Sequence, residues 1–314
     1  MMPPRPVPSA RPVPATSVDT VAGRSFAGNL FVSLRPHQWT KNVLVFGALI
    51  FGKHLFDPHE VSLAVAAFAI FCALSSVVYL VNDLHDREAD RLHPTKARRP
   101  IASGALSPMA ATIAAVVLGV GAMAGAARIN TQFLAVCGIY LVLLTVYSMW
   151  LKHVVILDVL TLATGFVLRA IAGAVAIQVP FSTWLLLVTL LGALFIGLSK
   201  RRAELVTLAE DAKGHRRILA EYSPYLLDQM IGVVTASTVL AYAFYTISPE
   251  VVQHFGTDRL LYTVPFVIYG IFRYLYLIHQ REEGGNPSEL LVTDRPLLVC
   301  GVLWAATVVI ILYG

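Results

Sequence analysis

Long apolar runs, separated by short polar segments, recur along most of the chain. Nine of them approach the length of about 20 residues that an α-helix needs to cross a bilayer core about 30 Å thick. Their approximate spans are 41–57, 61–83, 107–127, 131–151, 155–178, 183–199, 228–250, 261–280 and 295–313. The first and sixth runs are the shortest. The pattern therefore predicts an all-α integral membrane protein with nine transmembrane helices.

The first 29 residues have a different character. Prolines lie among alanine, serine and arginine, and no apolar run of the signal-peptide type follows them. Such a segment favours disorder, so residues 1–29 are predicted to be a disordered cytoplasmic tail, followed by a transmembrane domain at 30–314. Residues 30–40, in which Trp39 lies close to charged side chains, are typical of an interfacial helix.

The composition agrees with a membrane protein. Of the 314 residues, 57% are hydrophobic and only 14% are charged, whereas soluble domains are about one quarter charged. A net charge of +5 is small for a nucleic-acid-binding protein, and we expect no nucleic-acid partner. Cys72, Cys137 and Cys300 lie in apolar runs without zinc-type spacing, so they are expected to be small buried side chains.

Lysine and arginine are distributed unevenly between the two sets of loops. Nineteen of the 24 lie in the N-terminal region or in the loops after the second, fourth, sixth and eighth predicted helices. The positive-inside rule places that side in the cytoplasm, which predicts a multi-pass protein of the cell (inner) membrane. The long polar loops 84–106 and 200–227 then both face the cytoplasm, where soluble charged substrates would be met.

An acidic cluster lies where the second predicted helix leaves the membrane. Asp83, Asp86 and Asp90 fall within about 60° of one helical face. Clustered carboxylates repel one another unless a cation lies between them. Hard oxygen ligands suit Mg²⁺ bound together with phosphate. The cluster therefore predicts a metal–diphosphate site, and a solvated helix end with scattered acids is the alternative.

A basic loop follows this cluster directly. It contains Arg91, Lys96, Arg98 and Arg99, and the side chains of arginine and lysine suit phosphate oxygens. The alternative interpretation for each residue is the positive-inside signal alone. His93 in the same loop fits a loop hydrogen bond better than a catalytic role.

Two arginines lie inside predicted spans, where a charge costs on the order of 2.5–3.5 kcal/mol on insertion scales. Arg169 shares a helical face with Asp158, and Arg273 lies on a polar stripe that includes Tyr269. Because such arginines usually face a cavity, both helices are predicted to line a hydrated pocket that binds substrate. Structural pairing between helices is the alternative for each arginine.

The second long polar loop begins with Lys200, Arg201, Arg202 and Glu204. Lys200 and Glu204 are four residues apart and can pair on a helix. A solvated amphipathic helix would explain much of this segment. The functional interpretation is a lid over the site, because this segment lies opposite the first basic loop.

The sequence NDLHDREADRLHPTKARRPIASG at residues 82–104 resembles the first Asp-rich motif of the UbiA superfamily of intramembrane prenyltransferases. Nine spans, with catalytic loops after the second and sixth, also match that family. The resemblance covers about residues 30–314 and implies a UbiA-type catalytic domain with a central cavity and cytoplasmic cap loops. In that family the motif holds Mg²⁺ and a prenyl diphosphate. The match therefore implies a metal role for Asn82, Asp83, Asp86 and Asp90, with the aspartates as catalytic residues.

The second motif departs from the usual family pattern. Another Asp-rich run normally follows the sixth helix, but LSKRRAEL occupies residues 198–205 here, with Glu204 in place of paired aspartates. This segment, RPHQWTKN at 35–42 and the first motif together resemble one branch of the superfamily. That branch transfers 5-phosphoribosyl from 5-phosphoribosyl 1-diphosphate to decaprenyl phosphate, for cell-wall arabinan synthesis. The resemblance implies that additional basic residues bind the further phosphates of these two substrates.

The residues expected to bind substrate come from several parts of the chain. They are Lys41, Asn82, Arg91, Lys96, Arg98, Arg99, Arg169, Lys200, Arg201, Arg202, Glu204, Tyr269 and Arg273. The expected partners are the donor, the acceptor lipid and the bilayer, and a homo-oligomer is compatible with them. The alternative enzyme is an aromatic or haem prenyltransferase, which would favour a second Asp-rich motif. A transporter is the alternative outside enzymes, but the sequence has no convincing internal repeat.

Overall fold

The computed structural model describes residues 24–180, 182–208, 217–281, 290 and 293–314. All regular secondary structure within these residues is helical. The α-helices are α1 Phe26–Leu34, α2 Gly47–Phe51, α3 Pro58–His85, α4 Arg87–Arg91, α5 Pro100–Ser103, α6 Pro108–Ile129, α7 Thr131–Met149, α8 Leu157–Ala176, α9 Thr183–Leu208, α10 Pro224–Ile247, α11 Pro249–Phe255, α12 Val264–Gln280 and α13 Arg295–Tyr313. The 3-10 helices are Pro36–Phe46, Lys96–Arg98, Leu151–His153, Arg217–Glu221 and Arg259–Thr263.

Eight helical segments in the described part of the chain are long and apolar enough to cross a membrane. They are Pro58–His85, Pro108–Ile129, Thr131–Met149, Leu157–Ala176, Thr183–Val206, Pro224–Ile247, Arg259–Gln280 and Arg295–Tyr313. These segments overlap the second to ninth predicted spans in order. The predicted all-α membrane architecture is therefore confirmed.

The first predicted span, 41–57, takes a different form. The chain forms a 3-10 helix from Pro36 to Phe46 and then the short α2. A 3-10 helix rises about 2.0 Å per residue, so this short segment still connects the two ends of the bundle. Arg35 lies beside the α3 exit. At the other end, the Tyr313 hydroxyl donates to the carbonyl of Leu49 at 3.0 Å.

This segment packs backbone to backbone against α8. A Cβ atom built at Gly173 would lie only 2.0 Å from the carbonyl oxygen of Val45, which no side chain tolerates. Glycine is therefore required at this position. The close approach also places Asn42 against α8, where it contacts Arg169.

The predicted boundary of the tail falls inside an ordered helix. Ser25 caps α1 by accepting from the amide of Gly28, and Asn29 is buried. The Asn29 side chain donates to the carbonyl of Ala105 at 3.4 Å, so α1 is tied to the loop before α6. Residues 1–23 lie outside the described residues, and disorder there stays a prediction.

Helix α8 lies at the centre of the molecule. One apolar core, which includes Phe71 and Tyr140, joins it to α3, α6 and α7. A second core, which includes Tyr274, joins it to α9, α10, α12 and α13. Large apolar side chains are exposed on the outer faces, as expected where helices contact lipid. The three cysteines are buried and free, as predicted.

Candidate active site

The exit of α3 brings two of the predicted aspartates together. Asp83 lies in the last turn of α3 and Asp90 in α4, and each is only 3% exposed. The Arg99 Nη1 atom donates to Asp83 Oδ1 at 3.1 Å and to Asp90 Oδ2 at 2.6 Å. One guanidinium group therefore bridges the two buried carboxylates.

Arg35 is a second cation on Asp83. Its Nη2 atom donates to Asp83 Oδ1 at 2.6 Å, and its guanidinium carbon lies 4.9 Å from the centroid of the Tyr79 ring. Arg35 ends α1 in the left-handed region, at φ 55°, which turns the chain into the 3-10 helix. The sequence prediction did not include Arg35 as a site residue, although the RPHQWTKN segment contained the signal.

Asp86 is held from a different direction. The buried Lys152 donates to both of its carboxylate oxygens, at 2.6 and 2.8 Å. Lys152 comes from the 3-10 turn between α7 and α8, and the sequence prediction used it only as a topology signal. A lone lysine in an otherwise apolar turn on the acidic side of the bundle was the clue that could have identified it.

The predicted basic loop divides in the structure. Arg99 reaches the acids, but Arg91 donates to Glu88 at 3.1 Å and to the carbonyl of Ala102 at 3.1 Å. Arg98 is exposed and Lys96 is half-buried. Of the four predicted basic residues, Arg99 is therefore the one whose bonds to the aspartates are shown, and phosphate binding by the other three stays a prediction.

The aspartates fit the small set of protein ligands that Mg²⁺ requires. The described residues contain no group of three or more His, Cys, Asp or Glu side chains arranged to hold a metal ion. Mg²⁺, however, is usually bound by one or two carboxylates together with phosphate oxygens and water. Asp83 and Asp90 already converge on a single cationic atom. They are therefore the pair we expect to bind the metal, with Asn82 and Asp86 beside them.

Arg169 is a buried cation on α8. Its guanidinium donates to Asn42 Oδ1 at 2.7 Å, to the Gly165 carbonyl at 2.8 Å and to the Tyr140 hydroxyl at 2.8 Å. The group is 5% exposed and lies over the ring of Phe166, 5.1 Å from its centroid. Asp158, eleven residues earlier on α8, pairs with a residue of α9 and not with Arg169.

That residue is Arg201. Its Nε atom donates to Asp158 Oδ2 at 2.8 Å and its Nη1 atom to Glu204 Oε2 at 2.7 Å. The Tyr222 hydroxyl donates to Asp158 Oδ1 at 2.8 Å. Burial raises the pKa of Tyr222 to about 12, so the phenol keeps its proton for this bond. Since Asp158 is fully buried, this cluster ties the end of α9 to the start of α8.

The neighbouring charges of α9 are also paired. Arg202 donates to Asp228 on α10 at 2.5 Å, and His279 lies 3.2 Å from the same carboxylate. The Lys200 ammonium lies 3.9 Å from Glu204. Residues 209–216 lie outside the described residues, so the lid interpretation of this loop stays a prediction.

Arg273 is tied to the start of α13. Its Nη2 atom donates to Asp294 Oδ2 at 2.7 Å and its Nε atom to Oδ1 at 3.1 Å. Asp294 also caps α13 by accepting from the amide of Leu297 at 2.9 Å. Tyr269, one turn earlier on α12, is half exposed. These bonds favour the structural alternative for Arg273, and its substrate role stays a prediction.

Comparison with known families identifies one match over most of the chain. The model of the UbiA prenyltransferase family matches residues 43–290. A decaprenyl-phosphate phosphoribosyltransferase of Mycobacterium tuberculosis is 35% identical over 280 residues, which cover 88% of this chain and 91% of the relative. An enzyme of the same name from Corynebacterium glutamicum is 34% identical over 299 residues, covering 92% of this chain and 88% of the relative.

A solved structure has a similar fold. A UbiA homolog from Archaeoglobus fulgidus, bound to GPP and Mg²⁺, matches with a TM-score of 0.68. The alignment covers 91% of this chain and 100% of that chain, at 20% sequence identity. The helical arrangement described above is therefore a known membrane fold.

Proposed function

The chain belongs to the UbiA prenyltransferase family, and we propose that it transfers a phosphoribosyl group rather than a prenyl chain. The donor would be 5-phosphoribosyl 1-diphosphate and the acceptor decaprenyl phosphate, with release of diphosphate. The observation that carries this proposal is the nearly full-length similarity to curated decaprenyl-phosphate phosphoribosyltransferases. By the same similarity, the product would be a lipid-linked phosphoribose used in cell-wall arabinan synthesis.

The α3 exit is the proposed site of the donor diphosphate. Asp83 and Asp90 would hold Mg²⁺, with Asn82 and Asp86 as neighbouring ligands. Bound there, Mg²⁺ would neutralise charge that develops on the leaving diphosphate. Arg99 and Arg35 bind Asp83 Oδ1, and Arg99 also binds Asp90 Oδ2. Both arginines would be free to bind diphosphate oxygens once the carboxylates hold a metal ion. Lys152, which donates to both oxygens of Asp86, would keep Asp86 in place.

The reaction then needs position and charge more than proton transfer. The bond between C1 of the ribose and the diphosphate oxygen breaks, and the diphosphate leaves with the electron pair. An oxygen of the lipid phosphate forms a new bond to C1 from the opposite face. A phosphate monoester is already ionised near neutral pH, so no general base is required. The arginines and lysines would act by orienting the phosphates and stabilising the departing charge.

The protein is an integral membrane protein, and we place its active site on the cytoplasmic side. The support is the excess of lysine and arginine on the loops at the α3 exit. Cysteine can be introduced at Ala97, near the α3 exit, or at the exposed Gln253, at the other end of the bundle. In intact cells an impermeant thiol reagent should label Gln253→Cys and spare Ala97→Cys. Labelling of Ala97→Cys in intact cells would contradict this orientation.

The identity of the donor is the direct test of the proposed function. Purified protein and Mg²⁺ are incubated with radiolabelled 5-phosphoribosyl 1-diphosphate and decaprenyl phosphate, and the lipids are then extracted. We expect label in an acid-labile lipid that requires both substrates and is absent with the Asp83→Asn variant. A parallel reaction contains decaprenyl diphosphate and 4-hydroxybenzoate. Product in that reaction alone would refute phosphoribosyl transfer and support the prenyltransferase alternative.

A further inference from the structure

A mostly apolar cavity of about 270 Å³, with Glu250 and His254 in its lining, lies between residues 36–51, α8, α9 and α10. One wall is formed by Leu44, Gly47 and Phe51, and another by Ala170 and Ala174 on α8. Its lining continues to α11 at the end of the bundle away from the aspartates. The cavity therefore extends from the level of Arg169 toward the opposite face of the membrane domain.

Lys41 lies in register with this cavity. Residues three apart share one face of a 3-10 helix, so Lys41, Leu44 and Gly47 form one row on the segment Pro36–Phe46 and its continuation. Lys41 is the member of the row nearest the acidic site. On the facing helix, Arg169 directly precedes the cavity residue Ala170. The two cations thus lie next to residues of the cavity lining, Lys41 one 3-10 turn from Leu44 and Arg169 one residue from Ala170.

These two cations differ from five others near the site. Arg35, Arg99, Lys152, Arg201 and Arg202 each bind a carboxylate. Among the described residues, no ion pair joins an acidic side chain to Lys41 or Arg169. The cations Lys200, Arg169 and Arg35 act electrostatically on Lys41.

A buried positive charge without a counter-charge is unfavourable, and a bound anion removes that cost. Lys41 is half-buried and Arg169 is buried. The guanidinium of Arg169 is fixed by three neutral partners, so it contributes charge from a rigid position. The ammonium of Lys41 is the flexible donor that an incoming anion can contact.

We infer that Lys41 binds the phosphate of the acceptor lipid, backed by the charge of Arg169, and that the adjoining cavity receives the first part of its polyprenyl chain. This inference rests on the proposed function and assigns one of its two substrates. An anion site beside an apolar cavity suits a molecule that joins a phosphate to a hydrocarbon chain. The 5-phosphate of the donor is attached to a polar ribose and would gain nothing from that cavity.

The charge is tested by equilibrium binding in detergent, with radiolabelled farnesyl phosphate and 5-phosphoribosyl 1-diphosphate measured separately. Loss of one hydrogen bond to a charged group is worth about tenfold to a hundredfold in affinity. We expect Lys41→Met to weaken the binding of farnesyl phosphate by that factor. The binding of the donor should weaken by less than about twofold. Lys41→Arg should retain part of the binding, and Arg128→Met, at an exposed position far from the site, is the charge-matched control.

The cavity is tested by filling it. Ala170→Leu should weaken the binding of farnesyl phosphate more than the binding of the shorter dimethylallyl phosphate. The control Ala124→Leu, at an exposed position on α6, should leave the binding of both unchanged. This variant also tests the inference if Lys41→Met fails to fold.

The outcomes separate this inference from the proposed function. Three results for Lys41→Met would overturn the inference: an equal loss of affinity for both ligands, a loss of affinity for the donor alone, or no loss of affinity. If the unmodified protein binds farnesyl phosphate through Lys41 but does not bind 5-phosphoribosyl 1-diphosphate, the proposed function fails and the lipid-phosphate site stands.

Discussion

At the exit of α3 acidic side chains are held by cations from other elements, whereas at the exit of α9 basic side chains are held by acids. Asp83 pairs with Arg35 and Arg99, whose side chains are 22% and 25% exposed. Arg201 pairs with Asp158, and those side chains are 5% and 0% exposed. Partly hydrated arginines can change partners, but a fully buried pair cannot separate without leaving a charge alone in the interior.

The difference suggests separate tasks for the two exits. The α3 exit has the properties of a reaction site, because its carboxylates and arginines can exchange partners when a metal and a diphosphate arrive. The α9 exit has the properties of a structural joint, because Arg201 and Tyr222 fix the start of α8. We therefore expect substitutions at α3 to reduce turnover and substitutions at α9 to reduce stability.

The largest expected effect is on turnover at α3. Asp83→Asn should lower the initial rate by about a thousandfold or more, since it removes an expected metal ligand without changing the side-chain shape. The two arginines it leaves are partly exposed, so membrane insertion and the unfolding midpoint should change little. Asp90→Asn should have the same effects on the rate and on stability as Asp83→Asn. Initial rates are measured across a Mg²⁺ titration, and near-normal rates with unchanged metal dependence would contradict the metal assignment.

The next largest effect is on stability at α9. Arg201→Met should lower the free energy of unfolding by about 3–5 kcal/mol, because it leaves the Asp158 carboxylate buried without its cation. The double variant Asp158→Leu with Arg201→Met should lose less free energy of unfolding than either single variant, since neither charge remains in the interior. Unfolding in mixed micelles provides the measurement.

Arg202→Met is the matched control for this cycle. Its partner Asp228 is 37% exposed, so the change should cost at most about 1 kcal/mol. A similar loss for Arg201→Met and Arg202→Met would remove the distinction between the buried and exposed pairs of α9.

A smaller effect concerns the exchange of partners at α3. Arg99→Gln should strengthen the binding of Mn²⁺ to the substrate-free protein by up to about tenfold, because Arg99 competes with a cation for Asp83 and Asp90. The same variant should turn over more slowly, having lost a diphosphate ligand. Electron paramagnetic resonance reports free and bound Mn²⁺ directly. Weaker binding of Mn²⁺ by the variant would show that Arg99 organises the acids and does not compete for them.

Local patterns in the sequence were sufficient for the architecture and for the acidic motif. Apolar runs of spanning length are properties of consecutive residues, and eight helices appear where those runs predicted them. Asp83, Asp86 and Asp90 were identified because helical periodicity places them on one face, although Asp86 is held separately by Lys152. The 3-10 form of the first segment was not predicted, because it depends on contact with Gly173 of a distant helix.

The partners of the charged residues could not be predicted, because they come from distant parts of the chain. Lys152 is 66 residues from Asp86, and Arg201 is 43 residues from Asp158. Helical periodicity placed Asp158 and Arg169 on one face of α8, but it could not show that the packing of α9 against α8 makes Arg201 the partner of Asp158. Sequence reasoning therefore found the residues with chemical potential more readily than it distinguished site residues from structural ones.

The smallest expected effect is at the α12–α13 connection, which tests whether a charge inside a span must serve the substrate. Arg273 pairs with Asp294, and the two side chains are 22% and 11% exposed, so this pair is at least as exposed as Arg35 and Asp83 at the α3 exit, at 22% and 4%. Arg273→Leu should therefore lower the unfolding free energy only slightly, because solvent screens a partly exposed ion pair, while the KM values per folded molecule stay unchanged. Asp294→Asn, which keeps a side chain able to cap α13, should lose less. A raised KM for either anionic substrate at unchanged stability would restore Arg273 to the active site and show that partial exposure, more than pairing, marks the residues that bind phosphate.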